Sequence, residues 1–414
     1  MMIRACAVVL VTALLRPAPV RATDIIVDPH GAVPSISAAL ALAKPGDRIV
    51  VSAGTYREGT IYVRTPRLVL EGRDWPVLDG EGEHAVLVVE ADDVTVRGFV
   101  VQHTGVSNVE DRAGIRVRES RSCLIEDNKL RDNLFGIYLQ GSYGCVVRGN
   151  DIVAHGTSQM TSGNGIHLWY SPGSVVEKNH IVGHRDGIYF EFSPHGITRG
   201  NVSEQSQRYG LHFMYSDSCR YEDNTFRDNH SGVAVMYSHA ITIKGNRFTG
   251  ALGAASYGLL LKEILGGEIS ENTFANNSTG VFFEGASHLA VRNNDFLQNG
   301  WAARVLADAE DDQFTGNRFA GNAFDVTTNS RSANSTFDGN WWDAYRGYDL
   351  NGDGVGDVPF HPVRLFALIV EEHSDALLLL RSPLVAILDA AERVLPVLTP
   401  EALVDKHPLM KAPR

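Results

Sequence analysis

Between Asp111 and Tyr345 the chain alternates apolar and polar residues in short bursts that restart at regular intervals. Ile115 and Val117 alternate with Arg116 and Arg118; Ile137 and Leu139 alternate with Tyr138 and Gln140. A period of two is that of a strand, whose successive side chains face opposite sides. Each burst follows a glycine: Gly114, Gly136, Gly165, Gly187, Gly210, Gly232, Gly258 and Gly280. An asparagine lies fourteen residues after each: Asn128, Asn150, Asn179, Asn201, Asn224, Asn246, Asn272 and Asn294, with Asn317 and Asn340 continuing the series. Both ladders step by 22 or 23 residues, except for one step of 29 and one of 26. Two ladders with the same spacing define a structural repeat. The long steps place loops around His155–Met160 and Ala251–Ala254.

One such unit cannot bury its apolar face alone, but stacked coils bury a common interior. The pattern predicts an all-β right-handed parallel β-helix, the pectin-lyase-like solenoid. A leucine-rich repeat would need a Leu framework and a helical half-repeat, and both are missing. Ahead of the repeats, Ile36 and Leu40 have helical spacing and Pro45-Gly46 ends the run, predicting a short helix that caps the open end. Strands are expected at Ile49–Val51, Leu68–Leu70, Val86–Val89 and Val94–Val96. Asp28-Pro29-His30 resembles the Asp-Pro-His-acid motif of β-helical uronan epimerases, but Gly31 stands where the acid belongs, so it reads as a turn. The expected organisation is a signal at 1–22, cap and first coils at 23–110, repeats at 111–345, an acidic loop at 346–362 and a helical tail at 363–414.

The chain has 414 residues, a formal net charge of -12 and no basic run, which argues against a nucleic-acid partner. Arg4, the apolar stretch Ala5–Leu15 and the small-x-small site Val20–Ala22 read as a secretory signal. The apolar run is too short for an anchor, since a span needs about 20 residues. An exported, periplasmic protein is expected. Cys123, Cys145 and Cys219 each lie nine residues after a repeat glycine and so share one inward row. They read as small interior residues; a disulfide between the first two is compatible with the spacing.

Asp349, Asn351 and Asp353, with Gly354 and Asp357, resemble a calcium loop, but Phe360 stands where the bidentate Glu belongs. Calcium and a hydrogen-bonded acidic turn are the two readings. The tail carries apolar stretches at Leu365–Val370 and Ala376–Leu380, and helical spacing through Ile387, Leu388, Ala391 and Val394. It reads as amphipathic helices that either pack on the solenoid or dock a membrane partner.

Candidate chemistry lies on the outer face of the strands that follow each glycine. Two residues after the glycine the row reads Arg116, Tyr138, His167, Tyr189, His212, Ala234, Leu260, Phe282. Four residues after, it reads Arg118, Gln140, Trp169, Glu191, Met214, Met236, Lys262, Glu284. A solvated face should be polar, and an apolar strip here marks a binding surface or a covered one.

The stretches Gly163–Ser171, Asp186–Phe192, Tyr209–Ser216 and Gly232–Ser238, with the acidic loop and the Asp405–Met410 ending, resemble the NosD family. These are periplasmic maturation proteins of nitrous oxide reductase. The resemblance implies work with an ABC transporter, at the inner membrane, in supplying copper for the reductase, with a copper-carrying lipoprotein chaperone as donor. It implies no catalysis. The chain has no Gly-rich phosphate loop ending in Gly-Lys-Ser/Thr, so the ATPase is a separate subunit from the permease-docked protein.

On that reading His212, Met214 and Met236 form a candidate site for transient Cu(I), open to solvent as transfer requires. His and Met share a strand, Met236 lies beside Met214 at roughly 4.8 Å, and thioether with imidazole selects Cu(I). His167, two coils away at about 10 Å, joins only if brought in. Tyr189, Glu191 and Trp169 are expected to orient the imidazoles or face a partner. The Met pair is alternatively a metal-free partner surface. Rival classes are a polysaccharide lyase, hydrolase or epimerase, and a glycan-binding module using Trp169, Tyr138 and Tyr189. Acid-base catalysis needs converging carboxylates, but Glu191 and Glu284 are four coils apart, roughly 19 Å. Lys262 and Glu284 read as an ion pair.

Overall fold

The computed structural model describes residues 23–107, 109–156, 158–330, 334–394 and 403–413; the expected signal lies outside them. The repeats wind into the predicted parallel β-solenoid. Each coil contributes three strands, as in Ala113–Arg118, Leu124–Glu126 and Lys129–Arg131. Every strand pairs in parallel with its counterpart one coil on, so Ile115, Ile137, Ile166, Ile188, Leu211, Val233, Leu259 and Val281 form one continuous register. The third strands stack into a separate 13-stranded sheet. The first and second ladders fuse because Ser231–Lys244 and Tyr257–Ser270 each run through both as 14-residue strands. The strands expected before the repeats are present at Arg48–Val51, Val69–Gly72, Leu87–Val89 and Thr95–Arg97.

The interior is filled by the inward rows. Residues one and three after each glycine, such as Ile137, Leu139, Leu211 and Phe213, are fully buried. The third ladder adds a column of rings, Phe226, Phe248, Phe274, Phe296, Phe319 and Trp342, with centroids 4.1–5.4 Å apart. Burying each ring stabilises the stack by about 1.5–3 kcal/mol. Cys123, Cys145 and Cys219 are buried free thiols in the inward row. The Sγ of Cys123 donates to the Ala91 carbonyl at 3.3 Å and that of Cys219 to the Ser193 carbonyl at 3.5 Å. Interior packing, not a disulfide, is their role here.

The asparagines are not surface turn residues. They fill a buried corner and satisfy one another in a chain. The Asn224 Oδ1 accepts the backbone N–H of Asn201 at 3.0 Å and its Nδ2–H at 2.9 Å. Its own Nδ2 donates to the Thr198 carbonyl at 2.8 Å and to the Asn246 Oδ1 at 3.0 Å. A buried bend leaves backbone groups that water cannot reach, so each needs an internal partner. The glycines serve a different need. A Cβ on Gly232 would lie 2.3 Å from the Gly258 carbonyl oxygen, and one on Gly136 would lie 2.4 Å from that of Gly165. Coils approach too closely there for a side chain.

Each end is closed. Helix α1 (Ile36–Leu42) starts at Ser35, whose side chain accepts from the Ala38 N–H at 3.1 Å, and it buries Ile36 and Ala39 over the first coil. Asp28-Pro29-His30 is a turn, as read: the Asp28 Oδ1 accepts the His30 N–H at 2.9 Å. At the far end the tail divides. Helix α2 (Leu365–Glu372) packs Phe366, Ala367 and Val370 against Phe324, and Glu371 pairs with Arg304 at 2.6 Å. A 3-10 turn at Ser374–Leu379 and helix α3 (Pro383–Val394) follow. The Asp405–Met410 ending is not a helical terminus. It returns to the solenoid and closes the asparagine chain, because Asp405 supplies the acceptor that the last coil lacks. Among the described residues no helix is long and apolar enough to cross a membrane.

Candidate functional site

The two outer rows have the predicted register. Tyr138, His167, Tyr189, His212 and Ala234 are successive partners, as are Gln140, Trp169, Glu191, Met214, Met236, Lys262 and Glu284. The Lys262–Glu284 ion pair is present at 2.6 Å. Openness is where expectation fails. His212 is only 2 % exposed, and Tyr138, Ala234 and Leu260 are also buried. The residue before the glycine covers the row: Tyr209 lies 4.9 Å from His212 and Phe135 lies 5.7 Å from Tyr138 between ring centroids. Met214 and Met236, one row further along, are partly exposed.

His212 is therefore a buried imidazole with a partly exposed thioether neighbour. Both its ring nitrogens are buried with no hydrogen-bond partner among the described residues. Burial first, then the Arg208 and Arg185 guanidinium groups, push its pKa down to about 3. The ring is neutral at physiological pH, which is the state a metal ligand requires. An unpartnered buried polar group costs about 1–3 kcal/mol. A soft cation bound by the imidazole and the adjoining thioethers would relieve that cost, and donors of these types suit copper. Among the described residues no three His, Cys, Asp or Glu side chains are placed to hold one ion. The mixed imidazole–thioether set is what the face offers instead.

His167 does not join this set. The Tyr189 ring stands between the two imidazoles, 4.8 Å from His167 and 4.9 Å from His212. The His167 Nδ1 faces the Asn164 amide nitrogen at 3.1 Å, and burial depresses its pKa to about 3. Tyr189 does more than orient rings: its hydroxyl donates to the Met214 Sδ at 3.6 Å. Burial, followed by the nearby Glu191 carboxylate, pushes the phenol up to about 12. Glu191 sits directly beside Met214. Trp169 meets Tyr170 edge-to-face at 4.7 Å.

The sequence reading missed one feature of this face. Tyr170, Phe192, Tyr215 and Tyr237 stack in a column with centroids 4.8–5.1 Å apart. Each lies five residues after a repeat glycine, so the periodic signal was present. The rings lie face to face, so they offer their edges outward. A sugar-binding platform needs exposed ring faces, so the column does not favour glycan recognition. Nor do the carboxylates converge, since Met214, Met236 and Lys262 stand between Glu191 and Glu284 in the row.

In the acidic loop the side chains turn onto their own backbone. The Asp349 carboxylate accepts from the Gly352 and Gly354 N–H groups at 2.6 and 2.9 Å. Asn351 accepts from the Asp353 N–H, Asp353 from Val355 and Asp357 from Leu350, at 2.6–3.0 Å. These bonds hold the loop in a compact turn.

The family described as periplasmic copper-binding protein (NosD) matches at residues 43–159 and 153–347. A probable ABC transporter binding protein NosD of Stutzerimonas stutzeri is 30% identical over 403 residues, 92% of this chain and 91% of that protein. The protein of the same name from Pseudomonas aeruginosa is 30% identical over 394 residues, covering 90% and 91%. Among solved structures, the A-module of the Azotobacter vinelandii mannuronan C-5 epimerase AlgE6 aligns with a TM-score of 0.58 at 16% identity, covering 73% of this chain and 92% of that one. That likeness concerns the solenoid alone. With the repeats matched throughout and the relatives spanning nine-tenths of its length, the chain belongs to the NosD family of periplasmic copper-binding proteins.

Proposed function

We propose that this chain is a non-catalytic copper-handling protein that receives Cu(I) from a copper-carrying lipoprotein chaperone and works with an ABC transporter in maturing nitrous oxide reductase. The observation that carries the reading is the neutral, unpartnered His212 imidazole two residues from Met214, with Met236 on the adjoining strand. The two thioether donors are soft and partly exposed, which suits an ion that must leave again. Anaerobic competition with a chromophoric Cu(I) chelator tests it. The Met214→Leu/Met236→Leu variant should lose at least about tenfold in affinity, equivalent to about 1.4 kcal/mol, with an unchanged circular dichroism spectrum. Equal competition by the folded variant would refute the site.

For the transporter, the docking surface we assign is the outer side of the helical tail, which holds the protein at the inner membrane through the permease. Leu378 is 90 % exposed, Ile387 64 % and Leu384 47 %, close together in sequence. Clustered exposed apolar side chains mark interaction sites. Truncating the whole tail would also remove Asp405, so point variants are the cleaner test. Leu384→Lys/Ile387→Lys should abolish co-purification of transporter subunits from a detergent extract while leaving the melting temperature unchanged. Retention of the subunits at the parent level would place the docking surface elsewhere.

A further inference from the structure

The copper reading leaves open how a thioether site is kept ready yet releasable, and the surroundings of Tyr189 bear on that. Two acceptors stand near the Tyr189 hydroxyl. In this structure it donates to the Met214 Sδ at 3.6 Å. The other acceptor is the Glu191 carboxylate, two residues along the same strand and on the same face, close enough to perturb the phenol. Glu191 is also the direct cross-strand partner of Met214. The three groups form a small triangle at the edge of the His212 pocket. The Tyr189 ring cannot drift, because it is wedged between the imidazoles of His167 and His212.

We infer that the Tyr189 hydroxyl is a two-position latch on Met214, donating to the thioether in the copper-free protein and turning to Glu191 when the sulfur is given to Cu(I). The inference rests on the copper reading above. The two acceptors are near balance for a physical reason. A carboxylate is the stronger acceptor, but Glu191 is partly exposed and must shed water to take the bond. A thioether is a weak acceptor that sheds little. Loading the sulfur removes the first option and leaves the second, so the lost bond is replaced when copper arrives and re-formed when it leaves. The latch also keeps the Met214 side chain in one position while the site is empty.

The test is a double-mutant cycle read by the same Cu(I) competition. Tyr189→Phe removes the donor from the empty and the loaded state alike, so its affinity should stay within about twofold of the parent's, well under the effect of one net hydrogen bond. Glu191→Ala removes the second position and should weaken binding several-fold when Tyr189 is present. In the Tyr189→Phe background, Glu191→Ala should change nothing. An equal loss in both backgrounds would mean simple attraction between the carboxylate and the cation, and would overturn the latch. So would a Tyr189→Phe affinity several-fold away from the parent's, because the bond given up at the thioether would then not be matched at Glu191. A second readout needs no variant: Cu(I) loading of the parent should shift its near-ultraviolet tyrosine absorption, and an unshifted spectrum counts against the latch. The two readings fail separately. If Met214→Leu/Met236→Leu keeps full affinity, the copper site itself is wrong and the latch falls with it. If that variant loses affinity but the cycle shows no coupling, the site stands and only the latch is lost.

Discussion

Replacing Asp405 by alanine should lower the unfolding free energy by about 3–5 kcal/mol, a loss beyond the usual range for a single substitution. Asp405 is fully buried and closes the asparagine chain. Its Oδ2 accepts from the Asn340 N–H at 2.9 Å, the Asn340 Nδ2 at 3.1 Å and the Trp342 Nε1 at 3.0 Å. Its Oδ1 accepts from the Gly339 N–H at 3.1 Å and the His407 N–H at 3.2 Å. Alanine would leave several of these donors buried and unpaired, each costing about 1–3 kcal/mol where water cannot enter. The amide substitution, Asp405→Asn, should be milder. It keeps one oxygen to continue the ladder but turns an NH2 group toward two N–H donors, so a loss of about 1–3 kcal/mol is expected. Guanidinium unfolding checks this: the midpoint should fall in the order parent, Asp405→Asn, Asp405→Ala, at constant slope. An Asp405→Ala midpoint equal to the parent's would mean that the returning segment does not hold the end of the solenoid.

Acid should destabilise the protein through its buried histidines. Burial pushes His184 down to about 4, and burial with Arg208 and Arg185 pushes His212 down to about 3. In the unfolded chain both revert to about 6.5. Between pH 6.5 and those lowered values the unfolded chain holds protons that the folded chain refuses, so stability falls as pH falls. The slope is about 1.4 kcal/mol per pH unit for each histidine. Two buried acids act oppositely. Burial raises Asp312 to about 7 and Asp325 to about 6, so the folded state takes up their protons first and acid favours it. The check is therefore a difference in slope. Between pH 6 and 5, His212→Gln and His184→Asn should each flatten the histidine contribution by about 1.4 kcal/mol per pH unit relative to the parent. Parallel curves for parent and variants would mean that these rings take up protons without unfolding.

Parts of the site were legible in single residues. Met214 and Met236 occupy the same place in consecutive 22-residue units, so their adjacency followed from counting. The same counting separated His167 from His212 and kept Glu191 away from Glu284. It did not reveal the burial of His212, because the covering residue, Tyr209, precedes the glycine, where strand alternation breaks down. Alternation puts residues three apart on opposite faces, yet the Tyr209 and His212 rings meet. The Tyr189–Met214 bond was likewise out of reach, since the choice between two acceptors depends on side-chain rotation that residue spacing does not encode. The column of Tyr170, Phe192, Tyr215 and Tyr237 was encoded in the spacing and went unread.

Coil, period and register are all readable from the amino-acid sequence. Those rest on local alternation and on a glycine and an asparagine repeated at fixed separation, and a repeat imposes the same contact on every neighbour. Tertiary structure alone decided what closes the solenoid and what covers its outer face. Asp405 meets Asn340 across 65 residues, and Arg304 meets Glu371 across 67. Such contacts occur once, carry no period, and form only after the coils have stacked to create the surface they complete.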